Sequence, residues 1–332
     1  MLFSEDIITI WNEGRILLKA ERLKSRLKLR DLDILLAVVD TGSMGKAAGR
    51  LGLSQPAISK SIADLEHALG VRLLDRSRQG AEPTLYGRAL VKRGVAMFDE
   101  LRQGIEDIDF LSDPAAGQLR IGASEVVARS IVAQAIIQLS RRHPKMDFRV
   151  TIGDTAPLNR LLAERKIELA ISRLADPIEP EFGTTALFED SLFVATGPGS
   201  RWLTRNRIDL AEIMDEPWVQ IQPDSFFGSQ VVEAFRASGF ATPRQAVTTP
   251  SLMLRDELIR TGRFLTMVGR LSLGFPPIRP LPVKVVSPSA VIGITLLKNR
   301  SLSPLGEIFV KTIRDISKPL AGRLQRAAAK RP

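Results

Sequence analysis

The chain has 332 residues, which is enough for two or three domains with separate hydrophobic cores. Its 47 Lys and Arg residues outnumber its 37 Asp and Glu residues, and the resulting net charge of +10 suits a polyanionic partner. The absence of cysteine excludes disulfides, thiolate metal sites and a cysteine nucleophile. No apolar run approaches the length of a membrane span and no signal peptide opens the chain, so we expect a cytoplasmic protein with no membrane partner.

Residues 1–27 form an N-terminal extension with a loosely amphipathic helical pattern, in which Ile7, Trp11 and Leu18 are among the apolar positions. Three interpretations stay open. The extension is a helix that packs on the next domain, a segment that enlarges a dimer contact, or the product of an upstream start codon.

Two short helices joined by a tight turn are predicted between residues 43 and 70. Ala47 and Ala48 give the first helix a small apolar face that permits close packing, and Gly52 supplies the left-handed residue that ends it. Ser54 is placed to cap the second helix, whose apolar residues recur on one face. These residues are Ile58, Ile62, Leu65 and Leu69. The pattern indicates a helix-turn-helix, with an ordinary pair of packed helices as the alternative.

Polar side chains begin the second of these helices, beside its apolar face. Amide, hydroxyl and ammonium groups at such a position can reach base edges and phosphates in the major groove. A wing is expected next, with its first strand over residues 71–74 and its tip over residues 76–82. The candidate DNA-binding residues are Ser54, Gln55, Pro56, Ser59, Lys60, Arg72, Arg76 and Arg78. Residues 28–93 contain eleven Lys and Arg against seven Asp and Glu, a net charge of +4 that agrees with this assignment.

A long helix is predicted for residues 86–113. Its apolar residues recur at alternating spacings of three and four, which is a heptad seam that a lone surface helix does not need. The candidate dimerisation residues are Val91, Phe98, Leu101, Ile105 and Ile108. Gly94 and Gly104 weaken the helix. A helix that packs only on its own domain is the alternative.

Alternating strands and helices are predicted from residue 118 onward. The expected strands are residues 119–124, 147–153, 167–172, 218–222, 245–249, 264–269 and 291–297, and the last helix is residues 303–317. Strand–helix–strand repeats of this kind predict a parallel sheet covered by helices. Residues 318–332 form a basic tail, which we interpret as a solvated, fraying end in preference to a second DNA contact.

Residues 29–90 resemble the N-terminal winged helix-turn-helix of LysR-type transcriptional regulators. The runs SQPAISKSIADLE and LGVRLLDRS are far more specific than a generic helix-turn-helix, and a looser resemblance extends over residues 28–317. The resemblance implies a winged helix-turn-helix domain, a long linker helix and a two-lobed α/β effector-binding domain that is similar to periplasmic binding proteins. The implied bounds are residues 28–85, 86–113 and 118–317, with lobe 1 at about 118–193 and 292–317 and lobe 2 at about 194–291.

The resemblance assigns roles to the DNA-binding residues in the first half of the chain, and the sequence pattern of the second half supplies candidates for a ligand site. Gln55, Pro56 and Ser59 would face bases, while Lys60 and Arg76 would face phosphate. In the second half, hydroxyl side chains lie where strands end and helices begin, a setting that favours oxygen-rich ligands. The candidate effector-binding residues of this kind are Ser124, Thr155, Ser172, Thr249 and Ser251. Ser225 is a further candidate, in a loop at residues 225–227 that is expected to cover the cleft.

Apart from Ser225, each of these hydroxyls taken singly is better explained as a plain helix cap. In a two-lobed fold, however, Ser124, Thr155 and Thr249 are expected to line a cleft together. Arg173 and Arg270 are interpreted as surface arginines in preference to partners of an acidic ligand.

The function implied by the resemblance is a ligand-responsive transcription regulator that binds inverted repeats in promoter DNA as an oligomer. We expect at least a dimer, and a tetramer by family analogy, with an organic acid or a sugar-like molecule as co-inducer. No cofactor is expected, and the two histidines, His67 and His143, do not have a metal-ligand spacing. An enzyme with a DNA-binding module is disfavoured because no phosphate-binding glycine loop or Ser–His–Asp set is found. An architectural DNA-binding protein without an effector is a further alternative.

Overall fold

The structure is a computed structural model that describes residues 28–77, 80–114, 116–286 and 290–328. Contacts divide the chain into two compact units, which meet between residues 102 and 103 within one long helix. The N-terminal extension, Arg78 and the end of the basic tail lie outside the described residues.

Three helices build the first unit around a small apolar core. They are α1 (Leu29–Thr41), α2 (Met44–Leu51) and α3 (Gln55–Leu69). Gly52 follows α2 in the left-handed conformation with φ 63°, and the Ser54 hydroxyl accepts a hydrogen bond from the Ala57 N–H at 3.4 Å. The core is formed by buried apolar side chains that include Leu35, Val38, Ala47, Ile58 and Ile62. The predicted helix-turn-helix is therefore present.

The wing consists of strands β1 (Leu74–Ser77) and β2 (Gly80–Pro83), which pair antiparallel with Leu74 opposite Pro83. The first strand begins later than the predicted residues 71–74. Glu66 explains the difference, because its Oε1 accepts hydrogen bonds from the N–H groups of Leu73 at 2.7 Å and Leu74 at 3.1 Å. These bonds tie the start of the wing to the end of α3.

Helix α4 (Leu85–Ser112) follows the wing. Part of its predicted heptad seam packs against the core of the first unit and is not free to pair with another helix. Val91 and Phe98 pack against the core of this unit, and Gly94 lies against the side chain of Leu32. The exposed part of the seam is Leu101, Ile105 and Ile108, whose exposed fractions are 51%, 53% and 64%. Val91 and Phe98 thus contribute to their own domain, and the outward-facing residues lie further along the helix.

A close approach between α4 and the chain before the wing requires glycine at position 87. A Cβ added at Gly87 would lie 2.0 Å from the Leu73 carbonyl oxygen. We expect Gly87→Ala to lower the free energy of unfolding by about 2 kcal/mol, because the backbone must shift to make room. The control Gly104→Ala, in the same helix with nothing within 4 Å of the added Cβ, should instead stabilise the protein by about 1 kcal/mol. Urea denaturation measures both, and equal effects of the two variants would contradict the packing argument.

The first lobe of the second unit contains a five-stranded sheet. Its strands are β3 (Ala116–Ala123), β4 (Lys145–Ile152), β5 (Leu169–Arg173), β6 (Phe182–Asp190) and β12 (Ala290–Leu297), and they lie in the order β4-β3-β5-β12-β6. Strands β3, β4 and β5 are parallel, as the repeats predict, but β12 is antiparallel to both β5 and β6. The expectation of a wholly parallel sheet is therefore wrong, because β12 brings the chain back from the second lobe in the opposite direction.

Helices cover this sheet. A helical segment at residues 125–142, here α5, contains a π-helical turn at Ala128–Val132, and α6 spans Thr155–Ala163. Helix α9 spans Pro304–Ala328, beyond the predicted end at residue 317. The alanine-rich sequence after Leu320 has a high helix propensity, which explains why the helix continues.

The second lobe is built from short strands and two helices. These are β7 (Leu192–Thr196), β8 (Trp218–Gln220), α7 (Phe226–Ala237), β9 (Gln245–Thr248), α8 (Leu252–Arg260), β10 (Thr266–Gly269) and β11 (Arg279–Pro280). Trp218 is fully buried, with its ring edge-on to Phe235 at a centroid distance of 5.4 Å. The chain passes from the first lobe to the second at residues 190–192, between β6 and β7, and β12 returns it to the sheet of the first lobe. No helix in the described part of the chain is long and apolar enough to cross a membrane.

Candidate functional sites

The start of α3 carries the first candidate site, on the face of the helix that is not buried. Most of the predicted contact residues are exposed there or in the wing, namely Ser54, Gln55, Pro56, Lys60, Arg72 and Arg76, and Ser59 is half-buried. The helix therefore presents an amide and an ammonium group from its first turns, while its apolar face fixes it in the domain.

Arg76 is held at the junction between α3 and the wing. Its guanidinium donates to the Ser59 hydroxyl at 3.3 Å and forms an ion pair with Glu66 at 3.5 Å. The side chain of Glu66 is 17% exposed and also accepts the two wing N–H groups, whereas that of Arg76 keeps 42% of its surface exposed. Sequence reasoning missed Glu66, whose carboxylate organises the wing and orients Arg76.

A cavity of about 300 Å³ lies between the two lobes of the second unit and forms the second candidate site. Ser124 and Ser225, both predicted, line it from opposite lobes. The Ser124 hydroxyl is buried and has no hydrogen-bond partner among the described residues. The Ser225 hydroxyl is already used, since it donates to the Gln222 carbonyl at 2.7 Å and accepts from the Gly228 N–H at 3.0 Å.

The other predicted hydroxyls lie outside the cavity lining and serve local structure. Thr155 and Ser172 both donate to the Arg173 carbonyl oxygen, at 2.9 Å and 3.2 Å. Thr249 accepts from the Ser251 N–H at 3.1 Å, and Ser251 caps α8. Of the three residues expected to line one cleft, Ser124, Thr155 and Thr249, only Ser124 lines this cavity, and the hydroxyls of the other two bond to backbone groups.

Arg173 is a buried cation, so its interpretation as a surface arginine is wrong. The side chains of Arg173 and Asp190 are 7% and 0% exposed and form an ion pair. The guanidinium lies 4.2 Å from the centroid of the Phe227 ring, and its Nε has no hydrogen-bond partner among the described residues. Arg173 also lines the cavity, which makes it the main cationic group on the first-lobe side.

Burial dominates the electrostatics of this pair. It raises the pKa of the Asp190 carboxyl, against the opposing effects of the Arg173 charge and the Arg270 N–H, which donates at 2.7 Å. Burial likewise lowers the pKa of Arg173, against the effect of Asp190. Each charge of the pair is therefore stabilised mainly by the other, because water cannot solvate either group if its partner is removed.

Two further side-chain bridges connect the lobes, in addition to the Asp190–Arg270 and Arg173–Phe227 contacts. Asp154, from the first lobe, accepts a hydrogen bond from the Phe226 N–H at the start of α7 at 2.7 Å. Arg129, on α5, forms an ion pair of 2.7 Å with Asp256 on α8 and lies 4.2 Å from the centroid of the Phe275 ring. Sequence reasoning did not find these residues, because their partners lie far away along the chain. Within the described residues, no group of three His, Asp or Glu side chains is arranged to hold a metal ion.

Two family models match the chain. "Bacterial regulatory helix-turn-helix protein, lysR family" matches residues 29–88, and "LysR substrate binding domain" matches residues 112–317. The HTH-type transcriptional regulator GbpR of Azospirillum brasilense is 28% identical over 301 residues, which cover 89% of this chain and 88% of that protein.

Solved structures share the fold. A full-length OxyR variant from Pseudomonas aeruginosa aligns with a TM-score of 0.66 at 21% identity, covering 88% of this chain and 97% of that chain. Full-length CbnR in complex with its target DNA aligns with a TM-score of 0.60 at 20% identity, covering 87% of this chain and 100% of that chain.

Proposed function

Because the chain belongs to the LysR family of transcriptional regulators, we propose that it binds inverted repeats in promoter DNA as an oligomer and responds to a small-molecule co-inducer. The observation that carries the proposal is the presence, in one chain, of an exposed polar start to α3 and a cavity of about 300 Å³ between two lobes. The first suits readout of the major groove, and the second has the size of a small-ligand site.

Two-fold symmetry links the DNA site to the oligomer. An inverted repeat presents two identical half-sites, which require two α3 helices related by a two-fold axis. The exposed apolar residues of α4 supply a face for such pairing, since Leu101, Ile105 and Ile108 follow one another at helical spacing. We propose at least a dimer, and a tetramer if the second units also pair. CbnR, which shares this architecture, has been crystallised in complex with its target DNA, and this supports DNA binding by the present chain.

The cavity supplies the proposed response to a ligand. Its walls come from both lobes, so an occupant contacts residues on each side, including Ser124 and Ser225. A ligand shifts the geometry of the lobes only if it binds one arrangement more tightly than another. The bridges formed by Asp154 and Arg129 are among the contacts that such a shift would change.

Substitutions at the start of α3 and in the wing should have different effects on DNA binding. We expect Gln55→Ala to weaken binding to the specific promoter site by about 1–3 kcal/mol and to leave binding to random DNA unchanged, because a base contact is lost. Arg76→Ala should weaken binding to all sequences alike and reduce the salt slope by about 1, because a phosphate contact is lost. Fluorescence anisotropy at several salt concentrations measures both.

Arg141→Ala is the charge-matched control, because Arg141 is exposed on α5 in the other unit. It should leave the affinity for both kinds of DNA unchanged. Equal losses by Gln55→Ala on specific and random DNA would contradict a base contact at Gln55.

Selection from random double-stranded DNA tests the proposed function directly. The full-length protein should enrich sequences that contain an inverted repeat, and a footprint on the enriched site should change when a cleft ligand is added. Failure to enrich any sequence above random would overturn specific DNA binding. A footprint that stays the same with every ligand bound to the cavity would overturn the co-inducer role.

A further inference from the structure

The cavity between the lobes is lined by equal numbers of positive and negative side chains. They are Arg173 and Arg255 against Glu125 and Asp154. Both arginines are already paired, Arg173 with Asp190 and Arg255 with Asp256 at 2.8 Å. Asp256 is shared with Arg129. Counting these partners and Arg270, whose charge also acts on Asp190, four guanidinium groups stand against four carboxylates, so the cavity has no surplus positive charge.

This balance disfavours an anionic ligand. A carboxylate or phosphate loses part of its hydration on entering a site between two lobes and needs a cation that is free to replace it. Here the guanidinium groups are held by buried carboxylates, and an anion would also lie near Glu125 and Asp154. The helix N-termini at the cavity provide partial positive charge, but the full negative charges of the two lining carboxylates oppose it.

Two buried donors nevertheless lack an acceptor. The Ser124 hydroxyl and the Arg173 Nε have no hydrogen-bond partner among the described residues, and both residues line the cavity. Acceptors for a ligand's own protons lie in the same cavity, on the Gln222 side chain and on the Asp154 carboxylate. The Asp154 oxygens already accept from the Thr155 and Phe226 N–H groups, and each can accept a second hydrogen bond. A ligand hydroxyl meets both requirements, because it donates one hydrogen bond and accepts others.

The remaining lining is largely apolar. It includes Val126, Ile152, Ile221, Phe227 and Leu252. A volume of about 300 Å³ equals about ten water molecules in the liquid, which suits a ligand of roughly ten non-hydrogen atoms. The occupant therefore has a polar side for the donors and acceptors and an apolar side for these walls.

We propose that the cleft ligand is a neutral, hydroxyl-rich molecule with one apolar face, in the size range of a monosaccharide or a cyclic polyol, and not an organic acid. This inference rests on the proposed function, in that it takes the cavity to be the co-inducer site. The specificity has two sources. The donors and acceptors of the cavity bind hydroxyl groups, and the absence of a free cation disfavours a ligand that brings a carboxylate.

Matched neutral and acidic probes test the inference on the full-length protein. Isothermal titration compares D-galactose with D-galacturonate and D-glucose with D-glucuronate. At least one neutral probe should bind, and it should bind at least tenfold more tightly than its acidic counterpart. Tighter binding of the acids, or no binding of any neutral probe at millimolar concentration, would overturn the inference.

Variants of the lining assign the binding to this cavity. Ser124→Ala should weaken binding of the neutral probe about tenfold, because one hydrogen bond is lost. Ser229→Ala is the matched control, since Ser229 is exposed on α7, and it should leave the affinity unchanged. Glu125→Gln removes a negative charge from a side chain that makes no described hydrogen bond or ion pair. It should improve binding of the acidic probe several-fold and hardly affect the neutral one.

Footprints of the same protein separate failure of this inference from failure of the proposed function. If an acid binds in a Ser124-dependent way and changes the footprint, the proposed ligand class is wrong, while the proposed function as a ligand-responsive regulator stands. If the protein enriches no DNA sequence, the proposed function fails whatever the cavity binds.

Discussion

Arg173→Met should lower the free energy of unfolding of the second unit by about 3–5 kcal/mol at neutral pH, because it leaves the Asp190 carboxylate buried without its cation. The Asp190 side chain is 0% exposed, and the Arg270 N–H at 2.7 Å does not supply a full positive charge. The control Arg236→Met breaks an ion pair with Glu233 in which both side chains are well exposed. It should change stability by less than about 1 kcal/mol, and urea denaturation compares the two variants.

The pH dependence identifies the cause of this loss. Burial raises the pKa of Asp190 in the folded state, and removal of Arg173 takes away an effect that opposes the rise. A raised carboxyl pKa costs nothing where both states are protonated, and the cost grows as pH rises above the unfolded value of about 3.9. The deficit of Arg173→Met should therefore shrink as pH falls from 7 toward about 4.

A double variant completes this test. Asp190→Asn keeps an oxygen for the Arg270 N–H and removes the charge, so Arg173→Met combined with Asp190→Asn should be more stable than Arg173→Met alone. A double variant no better than the single one, together with a deficit that does not depend on pH, would show that Arg173 acts through packing on Phe227 and not through charge.

Local signals explain which parts of the fold were predictable from the sequence. The helix-turn-helix depends on apolar periodicity, on Gly52 and on the Ser54 cap, all of which act within a few residues. The Arg173–Asp190 pair depends on β5 and β6 lying on either side of β12, which enters from the far end of the chain. Because β6 was not predicted, nothing in the sequence placed a carboxylate beside Arg173.

The residues of the cavity also show that local signals can be predicted from the sequence and long-range packing cannot. Ser124 and Ser251 were correctly placed at helix starts, since a cap is a local property. Ser225, which was expected in a loop over the cleft, instead caps α7. Whether a hydroxyl then faces a ligand or the backbone depends on how the lobes pack. Thr155 illustrates this, because the strand end at Arg173 supplies a carbonyl that takes its hydrogen bond.

The largest effect on assembly is expected from the exposed face of α4. Leu101→Asp combined with Ile105→Asp should reduce the solution mass and weaken binding to an inverted repeat at least about hundredfold. Burial of each side chain in a pairing seam is worth about 1.5–3 kcal/mol, and two carboxylates would make the seam repulsive as well. Phe98 is left unchanged, because it packs against the core of the first unit and its loss would damage the domain itself.

Light scattering on the full-length protein measures the mass, and Asp107→Lys is the control, since Asp107 is exposed on another face of α4. The control should keep the wild-type mass. A double variant that also keeps the wild-type mass would exclude Leu101 and Ile105 from the interface and leave pairing to the second units. A lower mass with unchanged affinity for the inverted repeat would instead show that each half-site is bound independently. In that case the two-fold relation between α3 helices would play no part in DNA recognition, which is the premise on which the oligomer was proposed.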